Sequence, residues 1–243
     1  MNIALIGGSG LYDFPELQVH TEERPMTSYG EPSDVIRIGT INQHQLMFLA
    51  RHGNDHQIPP HKVNYRANIK ALKELGAEKI IAVNAVGGIA DNLQAGDIVI
   101  PDQVIDYTYG REHTFYDDFS HGVEHIDFTF PFDETFRNEL IRCNDKQPIH
   151  TSGVYGCTQG PRLETSAEIQ RMKIDGCTIV GMTAMPEAAL ARECGIPYIS
   201  ICTVANMAAG LTEELITMDD IFEVLASGLT RTKEMIHNYL IKN

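Results

Sequence analysis

The sequence predicts one α/β domain over residues 1–243, with a central mixed β-sheet flanked by helices. Three observations point there. Short apolar runs of β character alternate with amphipathic runs of helical period along the chain. The run Lys79–Asn84 (KIIAVN) lacks polar alternation, which marks a strand covered on both faces. No repeat, low-complexity tract or linker interrupts the series.

Taken in order, Ile3–Ile6 is the first strand and runs into Gly7-Gly8-Ser9-Gly10; Asp34–Ile38 and Gln45–Ala50 complete three strands in the first fifty residues. Asn64–Gly76 switches period, with Ile69, Leu72 and Leu75 on one stripe and Gly76 as a stop, so it predicts an amphipathic helix. Lys79–Asn84 is a strand entering a turn at Ala85-Val86-Gly87-Gly88, and Asp97–Pro101 is another strand. The stretch from about Tyr107 to Asp133 is polar, aromatic and rich in histidine, which suits a long functional loop. A helix over Glu134–Cys143, a strand over Ser152–Cys157 and a helix from about Glu164 follow. Thr178–Met182 reads as a strand, Pro186–Gly195 as a helix with proline in its first turn, and Tyr198–Val204 as a buried strand. Ile221, Val224, Leu225, Ile236 and Tyr239 give a last helix its core stripe.

Charge narrows the function. With 33 Asp and Glu against 19 Lys and Arg, the net charge is −14, and such a chain is repelled by nucleic-acid backbones and anionic lipid. Neither nucleic acid nor membrane is an expected partner. The five cysteines form no CxxC pair and sit in apolar stretches, as expected for reduced thiols of a cytoplasmic protein. The amino terminus has no basic leader pattern and no apolar run reaches bilayer-spanning length, so export and insertion are not expected.

Open α/β sheets bind ligands beyond the carboxyl ends of their strands, so the residues at those exits are the candidates for chemistry. Gly7-Gly8-Ser9-Gly10 offers backbone N–H groups and a hydroxyl to an anion, or is a plain turn; it does not continue as G-x-G-x-x-G opening a helix, which disfavours a nicotinamide enzyme. Arg51-His52 follows the strand ending at Ala50, where a guanidinium suits phosphate oxygens or a surface ion pair. His52, His56 and His61 resemble a metal cluster, but their spacing and Pro59-Pro60 argue against a metal cage. Asn84 closes KIIAVN as a polar tip or a turn-former, and Thr183 lies at a helix entry, where anions are favoured. Glu164 and Asn206 occupy two further exits; a carboxylate accepts and an amide both donates and accepts, so the pair can read a heterocycle edge or serve as caps.

With those residues stand Ile6–Leu11, Tyr29–Ser33, Ala50–Gly53, Lys62–Asn68, Gly96–Ile100, Gly160-Pro161-Arg162 and Met182–Glu187. In their order the chain resembles the purine nucleoside and methylthioadenosine phosphorylases, over about residues 3–220. The resemblance implies the nucleoside phosphorylase fold and attack of inorganic phosphate on the anomeric carbon of a purine nucleoside, releasing base and a sugar 1-phosphate. It implies phosphate contacts from Ser9, Arg51, His52, Asn84, Ala85 and Thr183, with Met182 beneath the ribose and Leu163 against the base. It further implies a homotrimer in which His125 reaches a neighbour's site, Met218 near the 5′ group, phosphate as co-substrate, and no metal or organic cofactor. Adenine-specific relatives carry Asp where Asn206 and Ala208 stand, on either side of Met207. Here the neutral Asn206 suits a 6-oxopurine, and Glu164 matches the acidic residue of the 6-oxopurine branch, so Glu164 and Asn206 are the catalytic candidates and Met207 and Ala208 join the substrate contacts. The body resembles the methylthio branch. Together these imply S-methyl-5′-thioinosine as substrate; an inosine or guanosine phosphorylase, a methylthioadenosine phosphorylase and a purine-binding sensor are the alternatives.

Overall fold

The computed structural model describes residues 1–8, 11, 14, 17–41, 43–117, 124–144, 148–212 and 218–242, the last stretch by backbone alone over 218–223. Ten strands form one mixed sheet: β1 (Asn2–Gly7), β2 (Gln18–Glu23), β3 (Ile36–Ile41), β4 (His44–Ala50), β5 (Lys79–Gly88), β6 (Ile98–Val99), β7 (Gln103–Asp106), β8 (Val154–Cys157), β9 (Ile179–Gly181) and β10 (Tyr198–Met207). The helices are α1 (Tyr65–Glu74), α2 (Glu134–Cys143), α3 (Ser166–Ile174), α4 (Ala184–Glu193) and α5 (Met218–Lys242). Strand order is β2-β3-β4-β1-β5-β9-β8-β7, with β10 on β5 and β6 on β10.

Alternation along the strands divides the core into two layers. Ala4 and Ile6 of β1 pack with Ile69 and Leu72 of α1 and Leu190 of α4, while Ile3 and Leu5 pack with Phe136 and Leu140 of α2 and Tyr239 of α5. Helix starts follow local chemistry. The Asn64 side chain accepts from the Ala67 N–H, Asp133 accepts from the Phe136 N–H, and Thr165 closes a reciprocal capping box with Glu168. That box starts α3 at Ser166, two residues after the expected Glu164.

Other expectations shift for identifiable reasons. Among the described residues the first fifty positions hold four strands, not three, because β2 is exposed along its whole length and carries no apolar pattern; charged residues on this edge are compatible with pairing to β3 alone. The strand expected at Asp34–Ile38 is Ile36–Ile41. Ala85–Gly88 is not a turn but the second half of β5, paired to β10 through Met207↔Gly88. A Cβ on Gly88 would stand 2.9 Å from the Met207 sulfur, so the glycine there permits close packing, not chain reversal. β10 likewise runs on past Val204 to Met207, through a bulge between Val204 and Asn206.

The layout of β5 makes the site. On one side it pairs with β10; on the other it pairs with β1 only as far as Ala82 and with β9 only from Gly87. Residues 83–86 therefore border a gap where one neighbouring strand has ended and the next runs the opposite way. This is a topological switch of the kind that opens a crevice.

Candidate active site

A cleft of about 550 Å³ occupies that gap. At its floor, Gly8 at the end of β1 passes so close to β5 that a Cβ would lie 2.5 Å from the Val83 carbonyl oxygen and 3.0 Å from Arg51 Nη1. Only glycine lets the guanidinium lie across the strand end. Arg51, expected as a phosphate contact or a surface ion-pair member, is fully buried. Its Nε and Nη2 donate to the two carboxylate oxygens of Glu187 at 2.7 and 2.8 Å, and Nη1 donates to the freed Val83 carbonyl at 3.2 Å. Burial alone would drive proton loss, but the Glu187 carboxylate outweighs it and holds the guanidinium above its ordinary pKa.

His52 is buried beside it. Its Nδ1 donates to the Ile58 carbonyl at 2.8 Å, since a carbonyl can only accept, which leaves Nε2 as an acceptor in the neutral ring. Burial, then the Arg51 charge and the neighbouring His56, push its pKa down to about 4, so the ring is neutral at pH 7. Asn84 sits inside β5, not at its tip. Its amide nitrogen donates to Ser200 Oγ at 2.5 Å and its oxygen accepts from Thr183 Oγ1 at 2.8 Å. Thr183 is the N-cap residue of α4 yet makes no side-chain cap bond; its hydroxyl goes to Asn84.

A second set of lining residues comprises Glu164, Leu163, Asn206 and Ala208, and Met182, Val180 and Ala205 line the cleft as well. Thr158 Oγ1 donates to Glu164 Oε1 at 2.6 Å. Asn206 Nδ2 donates to the Met207 carbonyl at 2.8 Å, which leaves its second amide hydrogen and its oxygen for other partners. Leu163 is 48% exposed, so its face at the cleft is covered only in part. Ile58, Pro59 and Pro60 add an apolar wall, with His56 and Gln57 alongside. The arrangement offers the buried Arg51 guanidinium and the Thr183 hydroxyl to an anion on one side, and an acceptor plus an amide to a flat polar ring on the other.

Of the sequence candidates, Arg51, His52, Asn84, Ala85, Leu163, Glu164, Met182, Thr183, Asn206 and Ala208 line this one cleft. Met207 is not among the lining residues; its side chain packs against Gly88 and the core. His125 is exposed and is not among the residues that line the cleft. Ser9 lies outside the described residues, as does the Met218 side chain. Among the described residues no group of three or more His, Cys, Asp or Glu is placed for a metal ion, and no helix is long and apolar enough to cross a membrane. Two further buried or bridging residues, Glu187 and Arg111, carry no local signal of a site role. Glu187 stood within the Met182–Glu187 run, where an acid in a first helical turn already has a role with the helix dipole. Arg111 donates to the carbonyls of Thr158, Gln159, Met182 and Met185, and nothing local in the long loop signalled it.

Residues 2–241 match the model of the Phosphorylase superfamily. The chain belongs to that superfamily. This phosphorylase is 48% identical to the probable S-methyl-5′-thioinosine phosphorylase of Pseudomonas syringae pv. tomato over 98% of its own length and 97% of that protein. It is 47% identical to the 6-oxopurine nucleoside phosphorylase of Pyrococcus furiosus, covering 92% and 86% of the two chains. Among solved structures, the methylthioadenosine phosphorylase of Schistosoma mansoni in complex with adenine superposes with a TM-score of 0.93 at 32% identity, over 99% of this chain and 91% of that one.

Proposed function

We propose that this chain catalyses phosphorolysis of a 6-oxopurine nucleoside, S-methyl-5′-thioinosine being the preferred substrate. One observation carries the reading: residues from β1, β4, β5 and the β9–α4 junction form an anion end that shares a cleft with Glu164 and Asn206. Phosphate lies at the Arg51 end, contacted by Thr183 and Ala85, and the acceptor Nε2 of neutral His52 suits a protonated phosphate oxygen. A phosphate oxygen forms the bond to the anomeric carbon as the carbon–N9 bond breaks, and that bonding pair passes to the purine. The free amide hydrogen of Asn206 stabilises the negative charge that grows on the ring, and Glu164 accepts the N1–H that only a 6-oxopurine presents. A carboxylate at position 206 would repel O6, which is why the neutral amide supports this base class.

The apolar wall of Ile58, Pro59 and Pro60 supports an uncharged, poorly hydrated 5′ substituent such as methylthio. Phosphate is consumed as co-substrate, and no cofactor enters any step. We place the enzyme in the cytoplasm, where its thiols stay reduced, as a homotrimer that brings His125 of one subunit to a neighbour's cleft. The test is a substrate panel at saturating phosphate. S-methyl-5′-thioinosine is expected to give the highest kcat/KM, inosine less, and S-methyl-5′-thioadenosine least; a preference for the adenosine would overturn the base assignment, and a preference for inosine the 5′ assignment.

A further inference from the structure

Glu164 sits on the connection between β8 and α3, half-buried, between the exposed Leu163 and Thr165. A carboxylate on such a segment has many rotamers to sample, and aiming it has an entropic cost. Among the described residues, its hydrogen-bond partner is Thr158, whose Oγ1 donates to Oε1 at 2.6 Å. The same hydroxyl lies 3.3 Å from the Gly181 carbonyl, so the shorter contact to the charged acceptor takes the proton. Thr158 is itself held rigidly. It is buried, its N–H donates to the Gly181 carbonyl at 2.8 Å, and its own carbonyl accepts from Arg111 Nη2 at 3.1 Å. Arg111 also binds the Gln159 carbonyl at 2.8 Å and the Met182 carbonyl at 2.9 Å, so one guanidinium ties the segment leading to Glu164 to the strand end that leads into Thr183.

We propose that Thr158 is the positioning residue that gives the cleft its base preference, by fixing the direction of the Glu164 carboxylate. The inference rests on the reading of Glu164 as acceptor of purine N1–H. At that position a 6-oxopurine offers a donor and a 6-aminopurine an acceptor, so an aimed carboxylate favours the first and disfavours the second. A carboxylate free to swing does neither well.

Thr158→Val keeps the shape and removes the hydroxyl. It is expected to lower kcat/KM for S-methyl-5′-thioinosine by about tenfold, as for the loss of one hydrogen bond to a charged group. The KM for phosphate should stay the same, and the 6-aminopurine nucleoside should hold or gain, so that the ratio between the two substrates collapses. Thr158→Ser restores the hydroxyl and should restore the ratio; Thr158→Ala replaces the valine variant if that one does not fold. A merely structural role would lower both substrates together along with thermal stability, and that outcome overturns the proposal. Glu164→Gln, measured in parallel, separates the two levels. Unchanged 6-oxopurine turnover in Glu164→Gln would remove Glu164 from base reading and the proposal with it, whereas a crippled Glu164→Gln beside a Thr158→Val of normal preference would overturn the role of Thr158 alone.

Discussion

The two ends of the cleft are built on different plans. At the Arg51 end the side chains are buried and already bonded to one another: Arg51 to Glu187, Glu187 to the Tyr198 hydroxyl, Thr183 to Asn84, Asn84 to Ser200. Asn84, Tyr198 and Ser200 stand on strands, Arg51 directly follows β4, Thr183 is the N-cap residue of α4 and Glu187 lies in that helix's first turn. At the Glu164 end the side chains are half-exposed, sit on a loop and a bulged strand end, and are oriented by single hydrogen bonds. Pairing to Glu187 holds the buried Arg51 guanidinium in one orientation, the fixed geometry that the proposed phosphate contact calls for. For the proposed base contacts one or two donors and acceptors suffice, because discrimination between purines turns on so few hydrogen bonds.

The sharpest way to break this contrast is to remove Glu187. With Glu187→Ala, Arg51 becomes an uncompensated buried charge, and the unfolding free energy should fall by about 3–5 kcal/mol. Urea unfolding measures it; a loss below about 0.5 kcal/mol, the scale of an exposed pair, would show that the Arg51 end does not depend on this ion pair. Asn206→Ala at the other end should leave stability nearly unchanged and raise the activation free energy by about 2.7–4 kcal/mol, the range for a charge-stabilising donor. Steady-state kinetics beside a melting curve distinguishes that result from a purely structural amide, which would lower the melting temperature at normal kcat.

The contrast also explains what the sequence disclosed. Strands such as Leu46–Ala50 announce themselves by apolar continuity, so Arg51 and His52 were visible as strand-exit residues, and Thr183 as a helix entry. The Arg51–Glu187 pair spans 136 residues, and no local pattern links its members. The sequence puts Asn84 at the end of its strand, not inside it, because Gly87-Gly88 mimic turn chemistry, although they serve tight packing of β5 against β10. β2 was invisible because an exposed edge strand has no apolar face to periodically repeat. Thr158 and Arg111 act through contacts to backbone carbonyls and to one carboxylate, and carbonyl positions are not written in side-chain identity.

A smaller effect sharpens the same picture through pH. The pKa of His52 lies at about 4 in the folded chain and at 6.5 for the unperturbed ring. The folded state therefore binds fewer protons than the unfolded state between those values, and the stability contributed by the neutral ring is complete above pH 6.5 and lost progressively toward pH 4. His52→Asn keeps a donor toward Ile58 without a titrating ring. Unfolding curves at successive pH values should show the parent losing stability faster than this variant across that window; parallel losses would mean the ring titrates normally.

The claim on which the account stands is that the two ends act in a single displacement, with phosphate as the group that takes the sugar. Phosphorus-31 NMR of the enzyme with S-methyl-5′-thioinosine and inorganic phosphate follows it atom by atom. The phosphate signal should give way one for one to a sugar 1-phosphate as hypoxanthine accumulates, with no purine released in phosphate-free buffer. Equal purine release without phosphate, or release beside an undiminished phosphate signal, would contradict it.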